Sequence, residues 1–130
     1  MSTPEHREVA ELMLGKARAD LSAARLLASD AAQDDGVVGF HAQQACEKAL
    51  KAVLAVSEVD IPLTHNLRFL LELVDGTAVE TPDAVQGVVW LNPWAVTMRY
   101  DETESPLHRD AAIAAAVAAV EWATSVVADR

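Results

Sequence analysis

Arg99, Tyr100 and His108 are the side chains in this sequence best suited to work on a phosphodiester. The guanidinium of Arg99 is a fixed cation whose planar fork matches phosphate. The imidazole of His108 exchanges protons near neutral pH, and at a helix N-terminus the macrodipole disfavours its charged form, which suits a base. Together they could hold a phosphodiester and remove a proton from a ribose 2′-hydroxyl, which makes them the candidate catalytic pair. Tyr100 offers a ring on which a base can stack. Each residue also has a plain structural reading. An arginine near a helix C-terminus is electrostatically favoured with no function, and a tyrosine at a helix end commonly packs half-buried. Asp101, Glu102 and Glu104 put negative charge where a phosphate would approach.

His65 and Lys48 are further candidates for substrate contact. The competing readings are a helix-start residue for His65 and a solvated helix face for Lys48. Lys48 and Lys51 are the one clustered basic pair, too small a patch for duplex binding. His41 reads as a solvated or interface residue, and Cys46 as a buried hydrophobe. Trp90 and Trp94 are four apart and would share a face of an unbroken helix. There is no glycine-rich phosphate loop, no His-x-x-x-His spacing and no nucleophile elbow, so neither a metal nor a cofactor is expected.

These groups are carried by 130 residues, 52% of them apolar, with five glycines and five prolines. That is enough for one domain with its own core, spanning residues 1–130. Abundant alanine and few aromatics favour helices over strands. Ten basic against twenty acidic residues give a net charge of −10. Such a surface repels nucleic acid at long range and suits a basic partner protein. A single cysteine allows no intrachain disulfide. A charged N-terminus and a last helix interrupted by Glu121 argue against a signal peptide and a membrane span, and lead to the expectation of a soluble, cytoplasmic protein.

The pattern predicts an all-α, up-and-down four-helix bundle with one additional short helix. Helix one spans about Pro4 to Leu27, with Ser2 and Glu5 at capping-box spacing and Val9, Leu12, Met13, Leu21, Leu26 and Leu27 as its apolar positions. Helix two spans about Val37 to Ser57. Its Ala42, Ala45, Ala49 and Ala52 form a narrow stripe on which another helix can pack closely, either inside the bundle or at a self-association seam. His41, Gln44, Lys48 and Lys51 make a polar stripe, and Glu47 and Lys51 an exposed i,i+4 pair. Helix three runs from a Thr64 cap to Val74 and stops at Gly76. Helix four starts at Thr81-Pro82-Asp83, breaks at Asn92-Pro93 and resumes to about Tyr100. Helix five starts at Ser105-Pro106 and continues through Ile113, Val117, Val120, Trp122 and Val126.

Three blocks resemble the HEPN family (higher eukaryotes and prokaryotes nucleotide-binding). Phe40-His41-Ala42-Gln43-Gln44-Ala45-Cys46-Glu47-Lys48-Ala49-Leu50-Lys51-Ala52 resembles its Phe-His-x-Gln-Gln-Ala-x-Glu-Lys-x-Leu-Lys-Ala core. Thr64-His65-Asn66-Leu67 is similar to its Thr-His-Asp-Leu block, with Asn66 in place of the acid. Arg99-Tyr100 is similar to its Arg-Tyr-Pro block, with Asp101 in place of the proline. The resemblance implies a homodimeric helical bundle partnered with a small nucleotidyltransferase antitoxin, the HEPN chain being the toxin-like component. It further implies metal-independent ribonuclease activity on single-stranded RNA from an Arg…His motif, here Arg99 and His108. Residues 100–107, eight in all, separate the two, a wider spacing than the family motif. The alternatives are a non-catalytic nucleotide- or substrate-binding subunit of a nucleotidyltransferase, and a purely structural dimer. In the nucleotidyltransferase setting Tyr100 is the candidate nucleotidylation acceptor, being the only tyrosine.

Overall fold

The structure is a computed structural model and describes residues 2–95 and 106–130. Arg99 and Tyr100, with the expected continuation of helix four, lie outside the described residues. Among the described residues every regular element is helical: α1 Pro4–Ala28, α2 Asp35–Val56, α3 Leu67–Asp75, α4 Asp83–Gln86, a 3-10 helix Gly87–Ala95, and α5 Arg109–Ala128.

The elements alternate in direction. α1 runs toward one end of the bundle, hereafter the tip. α2 starts there and runs away, α4 and the 3-10 helix return toward it, and α5 runs away again. The short α3 is the extra element, laid against α2. The predicted bundle is therefore present, with one of its four main members largely 3-10.

α2 is buried almost all round, as a central helix must be. Ala42, Ala45, Ala49 and Ala52 are fully buried, together with Val38, Cys46, Leu50, Val53 and Leu54. The small-residue stripe is thus consumed by α2's own packing partners within the chain, chiefly α1 and α5, and is not free to be a self-association seam. α1 meets α2 through Ala10, Leu14, Ala17, Leu21 and Ala24. Val9, Leu12 and Leu26, expected inside, are exposed. Side-chain size suggested the wrong phase; the seven-residue spacing of Ala10, Ala17 and Ala24, interleaved with Leu14 and Leu21, sets the real one. α5 likewise buries Ala112, Ala116, Ala119, Val120, Ala123 and Val127, and leaves Ile113, Val117, Trp122 and Val126 half-buried. By length and apolarity alone α5 meets the requirement for a membrane span, but in this fold its alanine stripe packs on α2 and α1.

Three helix starts differ from expectation. Thr3, not Ser2, caps α1: its hydroxyl accepts the His6 N–H. Asn66, not Thr64, caps α3 by accepting from Arg68 N and Phe69 N. Thr64 Oγ1 instead accepts from Asn66 N. α5 begins at Arg109, beyond Pro106, because Leu107 N donates to Asp35 Oδ2 and the Arg109 side chain is drawn to the same carboxylate.

The fourth member also departs from expectation. Val85, Val88 and Leu91 are buried at every third position, and Trp94 follows at the same step. That spacing fits three residues per turn, so α4 passes into a 3-10 helix that continues through Pro93. Asn92 therefore caps no restart. Its Oδ1 accepts from Leu67 N and its Nδ2 donates to Asn66 Oδ1, tying this helix to the start of α3. Trp90 and Trp94 do not share a face: Trp90 is exposed, while the Trp94 ring lies on Gly39 of α2, where a Cβ would come within 2.7 Å of it.

Candidate functional site

His108 occupies the N-cap of α5 at the tip. Its backbone is extended and its Nδ1 accepts the Ala111 N–H at 3.3 Å. An imidazole that accepts at Nδ1 is neutral and carries its proton on Nε2. The ring is exposed, so that N–H faces water or a ligand. Serving as a base would require the other tautomer and release of the cap, whereas donating to a phosphate oxygen requires no change.

The neighbouring charges are committed to structure. The Arg109 guanidinium donates through Nε to Asp35 Oδ1 at 2.8 Å and through Nη1 to the carbonyls of Ala28 and Asp30. Its Nη2 donates to Gln33 O. Arg109 thus satisfies the end of α1 and the connector to α2, and clamps α5 onto both. The segment carrying Arg99 and Tyr100 is flanked by Trp94, packed on Gly39, and by Leu107, bonded to Asp35; both anchors lie in the first turns of α2.

His65 and Lys48 lie elsewhere, near the middle of α2. From Asp35 to Lys48 is thirteen residues, about 20 Å along the axis. Lys48 Nζ donates to Asp20 Oδ2 of α1, and His41 Nδ1 is 2.9 Å from Asp20 Oδ1. On the other side of α2, the Glu47 carboxylate is only 4% exposed. It accepts from Gln44 Nε2 at 3.2 Å and Lys51 Nζ at 3.0 Å, and lies 2.9 Å from His65 Nδ1. Gln43 is fully buried; it accepts from Gln44 Nε2 at 2.7 Å and donates to His65 O at 2.8 Å. The expected exposed Glu47–Lys51 pair is therefore buried, because the connector after α2 folds back over it. This network fixes that connector and orients the exposed His65 ring.

The sequence reading missed Asp20, Glu47 and Arg109. Asp20 had a signal: it falls seven residues from both Met13 and Leu27, which pack against the core, so it is a carboxylate on an apolar seam and needs a partner. Glu47 sits in an i,i+4 pattern indistinguishable from a solvated one. Burial pushes the Cys46 thiol up to about 12, so it stays protonated and inert, as expected of a buried hydrophobe. Among the described residues no three His, Cys, Asp or Glu side chains cluster to hold a metal ion.

A family model described as HEPN domain matches residues 10–126. No curated protein and no solved structure matches the chain.

Proposed function

The chain belongs to the HEPN domain family, and from that premise we propose that it is the toxin-like component of a HEPN/minimal nucleotidyltransferase pair, cutting single-stranded RNA without metal. The observation that carries this reading is the exposed His108 at the N-cap of α5, whose Nδ1 accepts the Ala111 N–H. The free N–H groups of a helix start, with the His108 Nε2–H beside them, suit a phosphate. Arg99 supplies the fixed positive charge on that phosphate. After releasing Ala111, the His108 ring takes the proton of the 2′-hydroxyl as that oxygen attacks phosphorus, and the imidazolium so formed hands a proton to the departing 5′-oxygen. The proposal is tested with purified protein, single-stranded RNA and excess chelator. Wild type is expected to cut, and Arg99→Ala and His108→Asn to lose cutting. Asparagine is itself a good N-cap, so His108→Asn removes proton transfer without removing the helix start. Unchanged cutting by His108→Asn would refute the role of His108.

A second reading, a non-catalytic subunit that docks a nucleotidyltransferase, is favoured by a different observation. Lys48, Lys51 and Arg109 are all engaged within the chain, and the net charge of −10 suits a basic partner. Co-expression with the adjacent gene product is then expected to give a stable complex without RNA cleavage, with added nucleotide mass on Tyr100 if the partner modifies its subunit. No complex and an unmodified Tyr100 would remove this reading.

A further inference from the structure

The fold places its three tryptophans differently. The Trp94 ring lies on Gly39, and the Trp122 indole donates to Glu80 O. Trp90 is 42% exposed. Its direction follows from the 3-10 period. Val88, Leu91 and Trp94 form the inner row. The next row, Val89 and Asn92, faces α3, where Asn92 accepts from Leu67 N. The third row, Gly87, Trp90 and Pro93, therefore faces the other flank, and all of it is exposed. α5 lies along that flank. His108, Ala111, Ala115, Ala118 and Trp122 recur on α5 at steps of three and four residues, so they share one face. Trp122 reaches Glu80, in the connector leading into α4, so this face looks toward α4 and the 3-10 helix. Thr124, on the opposite side of α5, meets Arg18 of α1. Between His108 and Trp122 the face carries only alanine, and Asp110 and Glu121 fall outside it. The two helices thus bound a shallow, uncharged channel with a small-residue floor, an exposed indole on its wall and His108 at its mouth.

We infer that Trp90 stacks on a base of the single-stranded RNA whose phosphate sits at His108, and that the alanine line of α5 leaves the space for that base. The inference rests on the RNA-cleaving reading and adds to it the residue that grips the strand beside the scissile phosphate. The reach is right. Gly39 lies four residues into α2, and Trp90 lies four residues before Trp94. Trp90 is therefore about 14 Å along the axis from the level of His108, a span that a short run of nucleotides covers. The chemistry is right as well. The chain carries −10, and Lys48, Lys51 and Arg109 are engaged internally. Stacking on an indole needs no cation from the protein, and every base offers a π-face to it. A flat ring needs a wide, shallow slot, which Ala115 and Ala118 leave open and larger side chains would fill.

Binding and cleavage are measured separately. A fluorescently labelled 2′-O-methyl oligoadenylate cannot be cut through its blocked 2′-oxygen, and its binding to the full chain is followed by anisotropy. Trp90→Ala is expected to weaken binding about tenfold with unchanged helix content, and Trp90→Phe to restore most of it. Ala115→Leu, which fills the slot and leaves the indole in place, is expected to weaken binding likewise. The same strand made abasic is expected to bind wild type no better than the intact strand binds Trp90→Ala. Equal binding by wild type and Trp90→Ala overturns the inference. So does equal binding of the intact and abasic strands, or a wild type that binds neither. The two readings fail separately. Metal-free cutting with an unchanged KM in Trp90→Ala removes the stacking role and leaves the cleavage. Trp90-dependent binding by a wild type that does not cut removes the cleavage and leaves the stacking role.

Discussion

Glu47→Gln is the substitution whose cost the structure specifies best. The carboxylate is 4% exposed and satisfies Gln44 and Lys51 as donors while holding His65 Nδ1. The amide keeps the shape but removes the charge and turns one acceptor into a donor. Lys51, with 11% of its side chain exposed, is left without a counter-charge. Breaking one half of a buried ion pair costs about 3–5 kcal/mol. Lys51 retains a narrow path to water, so the lower end, about 3 kcal/mol, is expected. For a chain of 130 residues that corresponds to a fall of about 10 °C in Tm. Removing both partners, Glu47→Leu with Lys51→Leu, leaves no uncompensated charge and is expected to recover most of the loss. Thermal melts followed by circular dichroism, with urea titrations alongside, measure both. A drop of under about 3 °C for Glu47→Gln, or a double variant less stable than the single one, would refute the view that this pair is buried and mutually dependent.

Gly39→Ala is expected to cost about 1–3 kcal/mol, read as a lowered urea midpoint, because its Cβ would come within 2.7 Å of the Trp94 ring; an unchanged midpoint would show that the ring does not rest on α2. Glu58 closes α2 with φ 60, so Glu58→Gly is expected to raise stability by about 1 kcal/mol, and a destabilised variant would contradict that. The Cys46 thiol holds its proton to about pH 12 in the folded chain and releases it above roughly pH 8.5 when unfolded. Its contribution to stability is therefore intact below that lower value and falls by about 1.4 kcal/mol per pH unit above it. Cys46→Ser or Cys46→Ala is expected to flatten this alkaline slope, and iodoacetamide at pH 8 is expected to leave native Cys46 unlabelled; rapid labelling would show the residue to be accessible.

The long helices were legible because α1, α2 and α5 carry apolar residues at unbroken helical spacing over more than four turns. Their phase was less so. Leu12 and Leu26 drew attention by size, while Ala10, Ala17 and Ala24 make the contact, and close helix packing selects small residues that hydrophobicity underrates. Pro93 is a strong local signal for a break in an α-helix, whereas Val85, Val88, Leu91 and Trp94 spell a period of three that a 3-10 helix satisfies. The start of α5 was misplaced because Pro106 is a strong local signal, whereas the bond from Leu107 to Asp35 spans 72 residues and leaves no trace in local sequence. The same holds at the site. His108 was legible as a residue type, but the use of its Nδ1 as a cap follows from where the helix begins. The burial of Glu47 depends on a connector folding back, which no periodicity reports.

The nature of the RNA ends decides most directly whether His108 moves protons in a ribose-assisted cleavage. Attack by a 2′-hydroxyl leaves a 2′,3′-cyclic phosphate on one fragment and a 5′-hydroxyl on the other. With chelator present, wild-type protein is expected to generate those two ends and His108→Asn neither. Fragments ending in 3′-hydroxyl and 5′-phosphate, or cutting that appears only when a divalent cation is added, would contradict it.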